Sequence, residues 1–406
     1  MSQREYDLCL FGSTGFVGRL TAHYLAASAP TGTRIALGGR SRTKLESLQS
    51  ELGAPAGSWA LVVADSFDQA ALEGLAHSAT TVATSVGPYA RYGRHLVAAC
   101  AEAGTHYADL TGEVLFVRES VGSLHDLASR SGARIVHSCG YDSVPSDLGV
   151  LLLHEKAAAE GAGELTETVL KASMKGGFSG GTIDSARNQV DTIRHDGRLR
   201  AVLADPYALS PQRDAEPNLG DEPDLFAPRR DPLLGEWVAP FLMASYNTRI
   251  VRRSNALNGW AYGRSFRYRE VMGFGPYPVG AAMAAGVTGA VVAMAAAMAF
   301  QPARLVLDRV LPGPGEGPSQ RTMDRGRFRS EVHTITSGGG RMRAVIAADG
   351  DPGYKATAVM FGESALALAL DGERLPDRAG VLTPATGIGS VLPGRLRAAG
   401  FTIETA

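Results

Sequence analysis

The sequence predicts an α/β protein with a parallel sheet domain and a second, α+β domain. Strand-like apolar runs alternate with helical patterns along residues 5–137, and longer strand patterns replace them after about residue 150. The first run ends in three spaced glycines, Gly12, Gly15 and Gly18. Regular alternation with short turns is typical of a parallel sheet covered by helices on both faces, and glycines at the first turn favour the Rossmann type.

The bulk properties of the chain exclude several classes of function. It has 406 residues, of which 45% are hydrophobic, and a net charge of −1. The length is too great for one ordinary core, and the near-neutral charge argues against a nucleic-acid partner. Three cysteines without a CxxC pair predict neither a disulfide framework nor a metal site, and the polar start of the chain predicts a cytoplasmic protein without a signal peptide.

The first domain is expected to span residues 1–150. Its strand-like runs are, in order, YDLCLFG, TRIALGGR, SWALVVAD, TTVATSVGP, THYADL and ARIVHSCG. Helical patterns separate these runs, with Ser41 as the N-cap of the second helix and Asp68 at the start of the third.

The second domain has a different pattern. ETVLKASMKGG reads as a strand, GGTIDSARNQVDTIRHDG as a helix, and residues 204–236 as a long loop rich in Pro and Asp. The stretch that begins at GRFRSEVHTIT predicts two or three longer strands followed by a helix, and TPATGIGSVLPGRLRAAG a loop and a helix.

One segment, residues 271–303, contains no charged residue. Its uncharged length is enough to cross about 30 Å of hydrocarbon, yet it is rich in Ala and Gly and lacks Leu and Ile between residues 279 and 300. Three interpretations stay open: a buried helix or helical hairpin of small residues, a peripheral element that contacts a membrane, and a true transmembrane span.

The glycine loop predicts a dinucleotide site. Glycines after a strand and before a helix permit a tight turn and let the backbone approach a pyrophosphate, which the helix amides then face. The alternative is a tight turn without a ligand. The cofactor contacts expected on this loop are Gly12, Ser13, Thr14, Gly15, Phe16, Val17 and Gly18.

The end of the second strand favours NADPH over NADH. A fold that prefers NAD usually places an acidic residue there to bind the ribose 2′-hydroxyl, whereas this chain has Arg40, Ser41 and Arg42. A guanidinium can bind a 2′-phosphate with two hydrogen bonds, and a serine hydroxyl can add one more. Asp65, after the third strand, is expected either near the adenine or as an N-cap.

Catalytic candidates follow the fourth and sixth strands. Because ligands bind beyond the carboxyl ends of such strands, residues 85–88, which are Ser85, Val86, Gly87 and Pro88, should pass near the nicotinamide ribose. Tyr89 then faces the reaction site or packs in the core. Tyr141 is a proton-donor candidate, and Asp142 or Ser143 either takes part in the reaction or caps the next helix. Lys175 lies either over the cleft or on the surface.

Several stretches together resemble the saccharopine dehydrogenase-like oxidoreductases, and within them the trans-acting enoyl reductases of mycobacteria and related actinobacteria. They are GSTGFVGRLTAHYL, GGRSRTKL, CGYDSVPSDLG, SGGTIDSAR and LTPATGIGSVLPGRLRAAG. The resemblance covers residues 6–402. It implies a Rossmann domain at 1–150, an inserted substrate domain at 151–380, and a segment at 381–406 that returns to the first domain.

The resemblance also implies NADPH-dependent reduction of a carbon–carbon double bond. The substrate implied is a polyketide-type acyl chain, presented by an acyl carrier protein or a polyketide synthase, on the way to phthiocerol-type envelope lipids. The candidates for the proton donor are, in order, Tyr141, Ser143, Tyr89 and Lys175. Peripheral membrane contact through 271–303 and a homodimer are compatible with it.

Two other functions stay open at this point. An imine or amino-acid oxidoreductase would need paired cations for carboxylates, for which Arg187, Arg194 and Arg198 are available. A non-catalytic protein that binds NADPH at a lipid surface is the second. The chain has no YxxxK motif, which excludes the usual acid pair of the short-chain dehydrogenases.

Overall fold

The computed structural model describes residues 4–176, 191, 196–300 and 317–406. Within these residues the strands are β1 Tyr6–Phe11, β2 Ile35–Gly39, β3 Ala60–Val63, β4 Ala79–Thr84, β5 His106–Asp109, β6 Arg134–Val136, β7 Leu165–Lys175, β8 Arg229–Arg230, β9 Trp237–Pro240, β10 Arg267–Gly273, β11 Arg327–Thr336, β12 Arg341–Asp349, β13 Gly380–Leu382 and β14 Thr402–Thr405.

The α-helices of the described residues alternate with the first strands and then surround the later ones. They are α1 Phe16–Ser28, α2 Arg42–Leu52, α3 Gln69–Ser78, α4 Tyr89–Tyr92, α5 Arg94–Ala103, α6 Val114–Ser131, α7 Val144–Ala159, α8 Gly197–Ala204, α9 Ala244–Leu257, α10 Pro278–Ala299, α11 Gln320–Asp324, α12 Thr357–Leu370, α13 Pro384–Gly387 and α14 Val391–Ala398.

The first sheet confirms the predicted Rossmann-type domain. Its strand order is β13-β6-β5-β4-β1-β2-β3, and every pairing in it is parallel. The order reverses between β1 and β4, so their carboxyl ends diverge around a crevice where ligands of such sheets bind. Ser41 caps α2 as expected, since its side chain accepts a hydrogen bond from the backbone amide of Lys44.

The second sheet is mixed and confirms the predicted α+β character. Its order is β14-β12-β11-β7-β10-β9-β8, with β10 parallel to β7 and the other neighbours antiparallel. The predicted helix at 180–197 lies almost entirely outside the described residues. Strand β10 and helix α9, which the sequence did not single out, cross the centre of this domain and bring residues to the site.

The boundaries expected from the sequence differ from the structure at both ends of the second domain. Helix α7 crosses residue 150 without a break. The return to the first sheet begins before residue 381, because α12 packs against β1, β4 and β5 and Gly380 already pairs with Arg134. The last strand, β14, pairs with β12 in the second sheet, so the final residues do not stay on the first domain.

Helix α7 joins the two sheets. It begins in the loop after β6, and its buried side chains belong to one hydrophobic core that includes residues of both sheets, such as Leu10, Leu148, Leu170 and Ile346. Glycine is required at position 149, because a Cβ there would lie 2.6 Å from Val332 Cγ2. The helix therefore lies directly on the second sheet, and the loop that precedes it is held between the domains.

A buried carboxylate fixes the start of α7. Asp147 Oδ2 accepts a hydrogen bond of 2.8 Å from the Ala385 amide, and Oδ1 accepts one from the Ser254 hydroxyl. Ser254 also bonds the hydroxyl of Thr383. The Asp147 carboxyl group thus joins α7, α9 and the turn after β13. Desolvation raises the pKa of this carboxyl group to about 6.

A second buried group, the Arg253 guanidinium, ties α9 to the first sheet. It donates hydrogen bonds of 2.7 Å to the Leu209 carbonyl and 2.6 Å to the Val381 carbonyl, in β13. It forms no ion pair with a described residue, and burial lowers its pKa to about 9, so it still carries its charge at neutral pH.

Helix α10 corrects one of the three interpretations of the uncharged segment. Only 17% of the most apolar stretch of this helix is buried, so it is not a buried core helix. Gly280, Ala284 and Thr288 face the protein on one narrow stripe against β9, whereas Val279, Met283 and Val292 are exposed. By length and composition alone the helix could cross a membrane.

We predict that Arg253→Lys lowers the free energy of unfolding by roughly 2 kcal/mol or more, since lysine lacks the planar fork with which the guanidinium reaches both carbonyls and leaves one buried acceptor unpaired. Denaturant unfolding of the purified protein measures this. Arg130→Lys, an exposed change on α6, serves as the control and should shift stability by less than about 0.5 kcal/mol. Equal stability of the two variants would contradict the role given to Arg253.

Candidate functional site

The glycine loop has the shape that a dinucleotide requires. Gly12 has φ 81°, which favours glycine, and a Cβ on it would lie 2.5 Å from Val86 Cγ2. A Cβ on Gly18 would lie 2.2 Å from the carbonyl oxygen of Gly12. The loop therefore folds back on α1 and contacts the residues after β4, leaving backbone as the surface that faces a ligand.

The start of α1 offers amide donors for an anion. The helix begins at Phe16, and no side chain caps its first turn. The first amides of a helix have no intrahelical acceptor, and the helix dipole makes this end favourable for a phosphate. Ser13 is different, because its hydroxyl is buried and donates to the Gly38 carbonyl at 3.1 Å. Its side chain therefore stabilises the loop.

Residues after β2 provide one free cation. Arg40 is exposed and forms no hydrogen bond or ion pair with the described residues. Arg42, in contrast, pairs with Glu46 at 3.1 Å. Arg40 is accordingly the guanidinium available for a 2′-phosphate, beside the Ser41 hydroxyl at the N-terminus of α2.

Asp65 shapes the turn after β3. Its Oδ1 accepts a hydrogen bond of 3.0 Å from the Phe67 amide, and its carbonyl accepts the Asp68 amide at 3.0 Å. The N-cap of α3 is Asp68, whose side chain accepts the Ala71 amide. The N-cap interpretation of Asp65 is therefore wrong, and its contact with adenine stays a prediction.

The second domain covers the glycine loop, a feature that sequence reasoning missed. The rings of Phe16 and Tyr354 meet edge to face with centroids 4.9 Å apart. Tyr354 lies in a π-helical turn, Pro352–Ala356, that leads into α12. Nothing in the local sequence around Tyr354 signals a cofactor, because its position depends on how the two domains pack.

Tyr89 is a structural residue, which corrects its place among the catalytic candidates. Its side chain is 4% exposed, and its hydroxyl donates to the Thr84 carbonyl at 3.2 Å and accepts the Leu110 amide at 3.1 Å. Glu113 accepts the backbone amides of Tyr89 and Ala90 at 2.8 and 2.9 Å. The hydroxyl is thus fully engaged in joining the loops after β4 and β5.

A buried hydrogen-bond network lies below the loop after β6. Asp109 Oδ2 is 2.7 Å from His137 Nδ1, and Asp109 Oδ1 accepts the Ser138 amide at 2.9 Å. Ser138 has φ 66°, a conformation that side chains rarely adopt, and its hydroxyl bonds that of Tyr246 from α9. This network holds the chain in an unusual conformation just before residues 140–143.

Two of the predicted residues in that loop are turned inward. The Tyr141 ring packs against Phe328 with centroids 5.0 Å apart, and its buried hydroxyl has no hydrogen-bond partner among the described residues. Burial raises the pKa of Tyr141 above its ordinary value. The Ser143 hydroxyl is bonded to Asn247 Oδ1 at 3.2 Å, and Ser143 does not cap α7 with its side chain.

The second domain supplies a further carboxyl group that the sequence did not reveal. Asn247 Nδ2 donates to Glu270 Oε2 at 2.9 Å, and the Tyr268 hydroxyl donates to Glu270 Oε1 at 2.9 Å. Desolvation raises the pKa of Glu270 to about 7. Ser143, Asn247 and Glu270 therefore form a chain from the first domain into β10.

Asp142 is placed differently from its neighbours. It is partly exposed, and its carboxyl group has no hydrogen-bond partner among the described residues. A Cβ added to Gly112 would lie 3.7 Å from Asp142 Oδ2, so the carboxyl group faces the loop after β5. Desolvation raises its pKa to about 7.

Lys175 lies at the end of β7 in register with Arg327, and its side chain is exposed. Its side chain has no hydrogen bond or ion pair with the described residues. Arg187 and Arg194 lie outside the described residues, and Arg198 is exposed on α8. Among the residues described, His, Cys, Asp and Glu form no cluster that could hold a metal ion.

Comparisons with known proteins agree with this geometry. Residues 8–136 match the family described as the Saccharopine dehydrogenase NADP binding domain. A Mycobacterium tuberculosis protein is 50% identical over 410 residues, which cover 99% of this chain and 98% of that protein. The trans-acting enoyl reductase of Mycobacterium bovis is 46% identical over 413 residues, which cover 100% of this chain and 98% of the relative.

A solved structure shares the fold. Saccharopine dehydrogenase (L-Glu forming) from Saccharomyces cerevisiae aligns with 98% of this chain and 99% of its own, with a TM-score of 0.55 and 13% sequence identity. At that identity the likeness extends to the architecture of both domains and no further.

We predict that Arg40→Ala raises the dissociation constant for NADPH by about 10- to 100-fold, because a charge-assisted hydrogen bond to the 2′-phosphate is lost. Fluorescence titration with NADPH and NADH measures this, and NADH binding should not change. Arg42→Ala is the matched control, since Arg42 is already paired with Glu46. An equal loss of affinity for NADPH and NADH would show that Arg40 does not bind the 2′-phosphate.

Proposed function

Because the chain belongs to the family of the trans-acting enoyl reductases, among the saccharopine dehydrogenase-like oxidoreductases, we propose that it reduces the double bond of an enoyl thioester. It is an NADP-dependent oxidoreductase. The single observation that carries the proposal is the full-length similarity, at 46% identity, to an enzyme named for this activity.

The cofactor site fits NADPH by its own geometry. NADPH supplies a hydride when it is bound. The first-turn amides of α1 would hold the pyrophosphate, and Arg40 and Ser41 the 2′-phosphate. The backbone between Ser85 and Pro88, which contacts Gly12 through Val86, would support the nicotinamide ribose.

The reaction requires two events at adjacent carbons. Hydride addition to the β-carbon of an enoyl thioester leaves an enolate, and a proton must then reach the α-carbon. The chain has to exclude water from this site and present a proton at the loop after β6. Phe16 contacts Tyr354 edge to face beside the glycine loop, and the buried network around Asp109 supports the loop after β6.

The charges at the site favour an uncharged acyl group over an amino acid. The groups near the loop after β6 are carboxyl groups, those of Asp109, Asp142 and Glu270. The carboxylate of an amino-acid substrate would need paired cations, and these carboxyl groups offer it none. The saccharopine dehydrogenase-like amino-acid reaction is therefore the less favoured alternative.

We infer further that the acyl chain arrives on an acyl carrier protein or a polyketide synthase and serves the synthesis of phthiocerol-type envelope lipids. The support for the carrier and the pathway is the family resemblance described above. A trans-acting reductase would meet such a substrate as a separate protein.

Purified protein should oxidise NADPH when it is given an α,β-unsaturated acyl thioester, and the saturated product should form in equal amount. Absorbance at the nicotinamide band and mass spectrometry of the acyl group measure both. A thioester on a carrier protein is compared with the same acyl group on coenzyme A, and the corresponding 2-oxo acid with ammonia is the control for the alternative. No turnover of either thioester would contradict the proposal.

We also propose that α10 contacts a lipid surface. The helix presents no charged residue on any side, and beyond Thr288 no residue whose burial is described is fully buried. A protein partner that covers one face would leave the others in water, whereas lipid can surround them all. This would place a cytoplasmic enzyme against a membrane from which acyl substrates are drawn.

The double variant Met283→Glu and Val292→Glu should lose binding to phosphatidylcholine vesicles, because each exposed apolar side chain becomes charged and costly to insert. Vesicle flotation of the full-length protein measures the bound fraction. Phe226→Glu with Leu370→Glu, two exposed apolar residues outside α10, is the matched control and should float like the unchanged protein. Equal flotation of both double variants, or none by the unchanged protein, would contradict this proposal.

A further inference from the structure

Resting on the proposed enoyl reduction, we propose that Asp142 is the acid that protonates the α-carbon, and that Asn247 and Glu270 position its loop. Asp142 follows β6 at the carboxyl edge of the parallel sheet, where cofactor and substrate meet in this type of fold. From the sequence Asp142 either takes part in the reaction or caps the next helix, and in the structure the N-cap residue of that helix is Ser143.

The neighbouring hydroxyl groups are already engaged or turned away. The Tyr89 hydroxyl holds two backbone groups, and the Ser143 hydroxyl is bonded to Asn247. Tyr141 is directed into the core against Phe328. Among the described residues of this loop, the Asp142 carboxyl group alone is both partly exposed and without a hydrogen-bond partner, so it is available to a substrate.

The loop is held so that the carboxyl group keeps its place. On one side Ser138, at φ 66°, bonds Asp109 and Tyr246 just upstream. On the other, Ser143 bonds Asn247, which bonds Glu270. Residue 142 lies between these two anchors, and its carboxyl group lies beside Gly112, where an added Cβ would be 3.7 Å from Asp142 Oδ2. Asn247 and Glu270 are positioning residues, since they act through Ser143.

The proton transfer balances without a further reactant. After hydride reaches the β-carbon, the O–H bond of Asp142 breaks and a C–H bond forms at the α-carbon, while the enolate electrons restore the thioester carbonyl. Asp142 is left as a carboxylate and recovers a proton from water through its exposed side. The products are the saturated thioester and NADP⁺.

The electrostatic surroundings favour a protonated Asp142 near neutral pH. Desolvation raises its pKa from its ordinary value to about 7, so the acid form predominates below that pH and is lost above it. Its charge acts on the hydroxyl groups of Tyr89, Tyr141 and Tyr246, and the carboxyl groups that act on the same hydroxyl groups are those of Asp109, Glu113 and Glu270.

Asp142→Asn should lower kcat for the enoyl thioester by about 100-fold or more, because general acid catalysis is lost. The dissociation constant for NADPH should stay within about twofold, which shows that the variant is folded. In the unchanged enzyme kcat should fall about tenfold per pH unit above pH 7, and the residual activity of the Asn variant should lack that fall. Asp142→Glu should regain part of the rate.

Reaction in deuterium oxide tests the step directly. The unchanged enzyme should add its one deuterium to the α-carbon in a single configuration, whereas the Asn variant, protonated by water, should give a mixture of both configurations. Asp126→Asn, an exposed change on α6, is the control and should behave as the unchanged enzyme. If the unchanged enzyme is active while Asp142→Asn keeps its rate, its pH profile and a single configuration of the α-label, Asp142 is not the acid. Inactivity of the unchanged enzyme would instead contradict the proposed function.

Discussion

The hydrogen bonds of the buried Asp147 carboxylate hold together the parts of the chain on which the site depends. Through them the first turn of α7 is joined to Ser254 of α9 and to the Ala385 amide after β13. An acidic side chain at this position also interacts favourably with the helix N-terminus. Because α7 starts in the loop after β6 and runs on to the second sheet, this junction sets where the loop lies relative to α9 and β10. The same junction explains why one hydrophobic core includes residues of both sheets.

The site combines desolvated carboxyl groups with very few nearby cations. Buried carboxylates are usually paired with arginine or lysine, which lowers their pKa. Here Asp142 and Glu270 instead have a pKa raised to about 7. The buried guanidinium of Arg253 donates its hydrogen bonds to two backbone carbonyls rather than to a carboxylate. With this raised pKa the two carboxyl groups are in large part protonated, and so uncharged, near neutral pH. This arrangement suits a reaction that consumes a proton beside a neutral acyl group, and it costs stability as those groups ionise.

The cofactor half of the site could be predicted from the sequence because its determinants are local. Gly12 and Gly18 lie six residues apart, and both must be glycine because a Cβ would clash within a turn that only a few residues form. Arg40 and Ser41 come directly after the end of β2, so their position is also set locally. The catalytic half could not be predicted in the same way, since Asn247 and Glu270 reach the loop after β6 from about a hundred residues downstream. The sequence left Tyr89 open between the reaction site and the core because its partners, Thr84 and Leu110, contribute backbone groups, which side-chain patterns do not reveal.

The exposed helix of the second domain is connected through β10 to the loop of the first domain that carries the proposed acid. Glu270 lies on β10, and α10 begins five residues after that strand ends. The turn between them is tight, since a Cβ on Gly280 would lie 2.5 Å from the Phe274 carbonyl oxygen. A rigid turn fixes the direction of α10 relative to β10, and β10 is bonded through Asn247 to the loop that carries Asp142. A lipid surface that α10 contacts would therefore have a defined orientation relative to the site. An enzyme needs such an orientation if its acyl substrate is to pass from lipid to the cofactor without crossing water.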